Sequence, residues 1–334
     1  MDFFQAYSDF LERNRDNIRR SITIHKDDPA YEFFKERLKN LYHPLPEPEK
    51  PPLAVTATDG SEFSRELYNG QKLVVCRSLS LTGENEESQS CFYLLNMNRE
   101  DKSEIVKRIM EDLEHKSASA AMKSNAGGLC LMDGSLSGRL YWGKTKFDTD
   151  LSPDLYDTYI KNLIEFLDTV NDQKGILAYV AKTSDTTIFK KYILSLEKEI
   201  PDFLKKRSIT DHLLLHSLAE FPGYTEPVWK SYEISTAKTV NFYTTHIIPS
   251  MNDTPMKVDF IIPENSPYTV ENLISWLVWS YTGLDNHNLW ISVADKKVKF
   301  SRNETEEIIM RMFFDTAGSE IVETRGERRA RIRF

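Results

Sequence analysis

Two short apolar runs, each leading into the same tripeptide, restrict the folds open to this chain more than any other feature. Leu53–Thr58 (LAVTAT) runs into Asp59, Gly60 and Ser61, and Leu129–Met132 runs into Asp133, Gly134 and Ser135. A short apolar run bounded by turn residues reads as a buried strand. A glycine after the aspartate frees the backbone to turn. The pattern therefore predicts two strands that each deliver an aspartate at the C-terminal end. If the strands are neighbours, the two carboxylates face each other, and like charges held that close require a cation. Hard oxygen ligands suit Mg²⁺ or Mn²⁺. Asp-Gly is also an ordinary turn dipeptide; the repetition after matching apolar runs is what argues for a site.

The order of elements around these runs predicts a fold class. Lys72–Leu81 is β-rich, Gly83–Ser90 reads as a polar turn, and Cys91–Met97 as another strand. Asp101–Ser124 has helical periodicity, with Ile105, Ile109, Met110 and Leu113 on one face. Leu129–Met132 is then the fourth strand. Pro153–Val170 reads as a helix capped by Ser152, and Gly175–Ala181 (GILAYVA) as the fifth strand. Three strands, a helix, a strand, a helix and a strand is the order of an RNase H-like α/β domain with a mixed β-sheet core. That topology places the first and fourth strands side by side, so Asp59 and Asp133 would meet at one end of the sheet. A third carboxylate would come from the intervening helix, where Glu111, Asp112 and Glu114 are candidates.

Three parts follow. Residues 1–52 form an N-terminal segment, in which Phe3, Phe4, Tyr7, Phe10 and Leu11 and then Tyr31–Tyr42 predict an amphipathic helix pair covering a core. The proline-dense His43–Pro52 is a stiff connector. Residues 53–200 are the RNase H-like core. Residues 201–334 are a C-terminal α+β extension. A helix is expected at Thr187–Lys198, at the end of the core, and the helices of the extension at Thr210–Ala219, Val270–Tyr281, Leu289–Lys297 and Glu304–Phe314. Its strands are expected at Thr239–Ile248 and Lys257–Ile262. The arginine-rich tail Thr324–Phe334 interleaves Ala330, Ile332 and Phe334, which suggests a final edge strand.

Composition narrows the function classes. The net charge of −8 over 334 residues excludes a generally basic nucleic-acid sponge, so any such binding must use local patches. Cys76, Cys91 and Cys130 lie in apolar runs without metal-ligand spacing, which fits a reduced, intracellular protein. The start, MDFFQAYSDF, is not that of a secretory signal, and the longest apolar segment, Leu273–Tyr281, is too short for a bilayer. The expectation is a cytoplasmic protein with no membrane partner.

Several motifs compete with the aspartates. Gly138–Thr145 (GRLYWGKT) formally matches a phosphate-binding loop, but its middle holds Leu140, Tyr141 and Trp142 where small residues are needed. A β-excursion after the fourth strand is expected instead. His212 and His216 have zinc-like spacing, yet Leu213 stands where a general base would be, so ordinary helix histidines are expected. Lys182, just after the fifth strand, is either a solvated loop lysine or a cation placed to hold a substrate phosphate.

Taken together, Ala54–Ser61 (AVTATDGS), Leu113–Ala121 (LEHKSASAA), Leu129–Leu136 (LCLMDGSL) and Gly175–Ser184 (GILAYVAKTS) resemble the NurA nuclease family. The resemblance continues through Ile209–Leu218 and Val240–Pro263 to Ala294–Lys299 (ADKKVK). It implies an RNase H-like fold and a Mn²⁺- or Mg²⁺-dependent DNA nuclease with exonuclease and endonuclease activity. It also implies a homodimer that works in DNA end processing with a hexameric HerA-type ATPase. Matched residue by residue, Asp59, Glu114, Asp133 and Asp295 take the metal-ligand positions of the family. The family often places a tyrosine shortly before the last of these; GLDNHNL stands there in this chain, with His287 near the tyrosine position. Lys182 would orient the phosphate. The alternatives are a non-catalytic RNase H-like scaffold that binds an ATPase or nucleic acid, and a nucleotide-binding enzyme using residues 138–145.

Overall fold

A computed structural model describes residues 2–96, 102–142, 155–202, 204, 208–235, 238–283, 286–318 and 323–332. Ten strands form one mixed sheet: β1 (Tyr42–Pro44), β2 (Val55–Glu66), β3 (Lys72–Thr82), β4 (Asn85–Leu95), β5 (Leu129–Asp133), β6 (Ile176–Ala181), β7 (Gly223–Thr225), β8 (Val228–Ser235), β9 (Lys238–Ile248) and β10 (Met256–Ile261). Their order is β1-β7-β9-β10-β6-β5-β2-β3-β4, with β8 paired to β9. The helices are α1 (Phe3–Ile22), α2 (Pro29–Leu41), α3 (Lys102–Met122), α4 (Leu136–Trp142), α5 (Leu155–Asp172), α6 (Ile188–Ser195), α7 (Asp211–Leu218), α8 (Val270–Trp279), α9 (Leu289–Val298), α10 (Arg311–Ala317) and α11 (Arg325–Ile332).

The centre of the sheet is the parallel trio β2, β5 and β6. Val55 pairs with Leu129, Thr58 with Met132, and Asp133 with Val180. All six residues of β6 are buried, as a strand covered on both faces requires. The adjacency expected of the first and fourth core strands is therefore present. The strands of the C-terminal part extend this sheet, because β10 runs antiparallel to β6 with Val258 opposite Val180.

Alternation along the strands divides the core into two layers. On one face Ala57, Leu129, Leu131, Ala178, Val180, Val258 and Phe260 pack against Leu273, Ile274, Trp276 and Leu277 of α8 and Ile291 of α9. On the other, Cys130, Met132, Leu177 and Tyr179 meet α3, α4 and α5 through Ala118, Met122, Leu136, Leu140, Leu163 and Phe166. Each fully buried large side chain in these layers contributes about 1.5–3 kcal/mol relative to exposure.

Several expectations are corrected. Polarity had marked Gly83–Ser90 as a turn, but the turn is only Gly83-Glu84, between the paired Thr82 and Asn85. Gly83 has φ +61°, which suits the first central position of a two-residue hairpin. Asn85–Ser90 continue into β4, where a polar run is tolerated because β4 is the sheet edge. The β-excursion expected at residues 140–142 is the end of helix α4, where Leu136 and Leu140 bury one helical face. The edge strand expected in the tail is helix α11; Phe334 lies outside the described residues. Residues 303–310 form a π-helical segment before α10, and β7 and β8 had no counterpart in the sequence reading. Of the helix pair expected to cover a core, α2 does so through Ala30, Phe34 and Leu38. Helix α1 has no buried residue; Phe3, Phe4, Tyr7 and Phe10 are exposed. Ser152 and Pro153 lie outside the described residues.

Candidate active site

Asp133 is the last residue of β5. Gly134 follows with φ +93°, so this aspartate does sit at a strand-to-turn switch that glycine adopts freely. The Gly134 amide donates to the Val180 carbonyl at 3.0 Å and to Asp133 Oδ1 at 3.0 Å. Asp59 is placed differently. It lies inside β2, which runs on to Glu66 paired with β3, so the expected turn at Asp59-Gly60 does not exist. Two residues after Ala57, Asp59 faces the same layer as α9 by the pleat of the strand.

Gly60 is needed for space rather than for turning. A Cβ at that position would stand 2.5 Å from Glu114 Oε1 and 2.6 Å from Met110 Cγ. The missing side chain lets Glu114, on α3, bring its carboxylate against β2 just past the point where β5 has ended. Glu114 is 2 % exposed and is paired through Oε2 with the buried Arg139 of α4. Arg139 also donates to the Asp133 carbonyl at 3.1 Å and contacts His115 Nε2 at 3.1 Å. The other candidates on α3 turn elsewhere. Glu111 bonds Arg108 and Tyr159, and Asp112 bonds Asn162 and Lys116.

Burial, then the charges of Asp133 and Glu114, push the Asp59 carboxyl up to about 8, and Asp295 adds to the effect. Burial likewise pushes Glu114 up to about 7 against the opposing charge of Arg139. Burial first, and crowding of carboxylates second, raise both values, a combination that marks candidate functional sites. Asp295, on α9, is 2.6 Å from Lys299 Nζ. Lys182 Nζ is 3.9 Å from Asp133 Oδ2 and is half exposed. His287 is buried; its Nε2 has no hydrogen-bond partner among the described residues and stands 4.0 Å from Asp133 Oδ1. Burial, reinforced by Lys182, lowers His287 to about 4, so its imidazole is neutral at pH 7.

The structure thus brings Asp59, Asp133, Glu114, Asp295, Lys182 and His287 to one end of the sheet. Among the described residues no three His, Cys, Asp or Glu side chains stand close enough together, as arranged here, to hold a cation. The donors nevertheless fit a hard divalent ion. Asp59 and Asp133 supply carboxylate oxygens from adjacent strands, with Lys182 3.9 Å from Asp133 Oδ2. Glu114 keeps Arg139 on one oxygen and has the other free toward Gly60.

Competing motifs fall away. Residues 138–142 of the phosphate-loop match are helical, and the Gly138 and Arg139 amides are already taken by Ser135 Oγ and the Ser135 carbonyl, so this stretch does not wrap a phosphate. Gly143, Lys144 and Thr145 lie outside the described residues. His212 packs edge-on against His246 at 5.9 Å, while His216 is exposed in the last turn of α7.

The profile of the NurA domain matches residues 53–300. The chain belongs to the NurA family. Membership supports a nuclease. The structure aligns with a crystal structure of NurA bound to dAMP and manganese at 15% identity, covering 92% of this chain and 96% of that chain with a TM-score of 0.57. A crystal structure of NurA with manganese aligns at 14% identity, over 92% and 97% of the two chains, with a TM-score of 0.56. At these identities the likeness establishes the NurA fold. No curated protein matches the chain.

Sequence reading missed Arg139, which lay inside the phosphate-loop match, and it misjudged the purpose of Gly60. It also passed over Lys257 and Asp259 of β10. Their only signal was two charges at alternate positions of an otherwise apolar strand.

Proposed function

We propose that this NurA-family chain is a metal-dependent DNA nuclease that hydrolyses phosphodiester bonds with Mn²⁺ or Mg²⁺. The observation that carries the reading is Asp59 and Asp133 on adjacent parallel strands, with Glu114 admitted beside them by Gly60. The NurA structures with manganese, one also with dAMP, support the choice of ion and of substrate class. A bound ion supplies polarisation of the scissile phosphate and acidification of an attacking water. Asp59, Asp133, Glu114 and Asp295 would hold that ion. Arg139 keeps the Glu114 carboxylate oriented by occupying one of its oxygens. Lys182, half exposed beside Asp133, is placed to bind a non-bridging phosphate oxygen. His287, neutral and with no partner for Nε2 among the described residues, can hold a proton or a water there.

The net charge of −8 keeps DNA from adsorbing broadly, so the substrate enters through a local channel. That demand fits delivery by a HerA-type hexameric ATPase, a homodimeric nuclease, and exonuclease and endonuclease work in DNA end processing in the cytoplasm. One observation favours a non-catalytic scaffold instead: Glu114 already has a full counter-charge in Arg139. The test is Mn²⁺-dependent degradation of end-labelled single-stranded and duplex DNA by wild type and Asp133→Ala, with and without the cognate ATPase. Loss of cleavage in a folded variant supports the nuclease. Equal cleavage by both proteins refutes it, and no cleavage by either under all conditions selects the scaffold.

A further inference from the structure

Lys257 and Asp259 lie two residues apart on β10, both fully buried, with Lys257 Nζ 2.8 Å from Asp259 Oδ2. Neither belongs to the carboxylate group described above. Their hydrogen bonds converge on one short segment, the turn that follows Asp133. Lys257 Nζ donates to Ser135 Oγ at 2.7 Å and to Ser137 Oγ at 2.5 Å. Asp259 Oδ2 accepts from Ser135 Oγ at 3.0 Å, from the Ser137 amide at 3.0 Å and from Ser137 Oγ at 3.1 Å. Its Oδ1 accepts from Thr244 Oγ1 on β9 at 2.7 Å.

The segment held in this way carries two parts of the site. Asp133 is immediately before it. Arg139, one turn along α4, reaches back to Glu114 and to the Asp133 carbonyl. Ser135 and Ser137 sit at the start of α4, so anchoring them fixes both the turn and the axis of the helix. A buried ion pair is a poor source of stability, because desolvation offsets most of its attraction and apolar residues of similar size often do as well. What such a pair does supply is direction, since each donor and acceptor accepts a partner in only a few places. Burial works to raise the Asp259 carboxyl, yet Lys257 and the hydrogen bonds from Ser137 and Thr244 bring it below its ordinary value.

We infer that Lys257 and Asp259 are positioning residues, which pin the Ser135–Ser137 turn so that Asp133 and, through Arg139, Glu114 point into a divalent-cation site. The inference rests on the nuclease reading of that site. Supporting groups of this kind change metal affinity by roughly 10- to 100-fold when removed.

The experiment uses the full chain, with Mn²⁺ binding followed by calorimetry or by the paramagnetic resonance of the free ion, and with stability followed by urea denaturation. Replacing both charges at once, K257M with D259L, removes the pins while leaving an apolar pair that can keep the strand packed. Ser135→Ala with Ser137→Ala removes the receiving hydroxyls without touching the ion pair. The expected result is Mn²⁺ binding weakened 10- to 100-fold in both folded double variants, with DNA cleavage restored as Mn²⁺ is raised. A merely structural pair predicts that K257M/D259L binds Mn²⁺ like wild type once it is folded, and that result overturns the inference. If K257M/D259L does not fold, wild-type Mn²⁺ affinity in the serine double variant overturns it equally. Asp133→Asn separates the two claims. Wild type that binds no Mn²⁺, or binds it no better than Asp133→Asn, refutes the nuclease reading itself and the inference with it. Binding and cleavage by wild type that match those of both double variants refute only the role of Lys257 and Asp259.

Discussion

Gly60→Ala isolates what the structure says about this position. Its sequence context suggests a turn glycine, whereas β2 continues through it and Gly60 is absent from the glycines with positive φ. A methyl group there meets Glu114 Oε1 at 2.5 Å and Met110 Cγ at 2.6 Å, closer than real Cβ contacts come. Met110 can swing its end away, but Glu114 is held from the far side by Arg139. Overpacking of this kind costs about 1–3 kcal/mol. Urea denaturation in EDTA should show that loss, and Mn²⁺ titration should show weaker binding as Glu114 is displaced. The discriminating comparison is Gly60→Asn. A turn residue with positive φ tolerates Asn better than Ala, whereas a crowded site tolerates Asn less. Gly134, with φ +93° and only Arg139 Nη2 nearby at 3.9 Å, is the matched control where Asn should be the milder change. In a Glu114→Ala background the cost of Gly60→Ala should fall by more than about 0.5 kcal/mol, as residues in contact couple. Gly60→Asn more stable than Gly60→Ala, or no coupling with Glu114, would refute the reasoning.

Two further outcomes follow from the charges at the site. Asp59 has its carboxyl raised from 3.8 to about 8, so its contribution favours the folded metal-free protein below the lower value and is lost as pH rises toward the upper. Asp59→Asn should therefore stabilise the protein in EDTA by an amount that grows between pH 5 and pH 8, on the order of several kcal/mol at the top. Mn²⁺ should raise the melting temperature of wild type but not of this variant; a pH-independent difference contradicts the crowding of Asp59 with Asp133 and Glu114. Glu114→Gln leaves Arg139 buried at 4 % exposure without its counter-charge, which should cost about 3–5 kcal/mol. Adding Arg139→Met should restore most of that loss in chemical denaturation without restoring DNA cleavage, and an undiminished deficit in the double variant argues against the pair.

How far each part was legible follows from how local its cause is. The parallel neighbours β2 and β5 were readable because short apolar runs with a defined helix and strand order admit few topologies. Asp133 was readable for the same reason, with a glycine turn directly after its strand. The end of β2 was not, since its second half, Ser61–Glu66, is polar and stays in the sheet by pairing with β3. Leu140–Trp142 read as β because aromatic and aliphatic residues favour strands, but packing of Leu136 and Leu140 beneath the sheet decided for helix. The aromatic face of α1 gave a true helix and a false burial, because periodicity reports an apolar face without naming what lies against it.

For this NurA-family chain, the linear pattern marked the central strands β2, β5 and β6, the helices between them and the two aspartates at the end of the sheet. Those properties depend on residues a few positions apart. Only the tertiary structure decided which of three acidic residues on α3 reaches the sheet, because that depends on a missing Cβ at Gly60, more than fifty positions away in the chain. It alone placed Arg139 on Glu114, His287 and Lys182 beside Asp133, and the Lys257–Asp259 pair beneath the following turn. Each of these contacts joins segments that no sequence period links, and each depends on how those segments pack against one another.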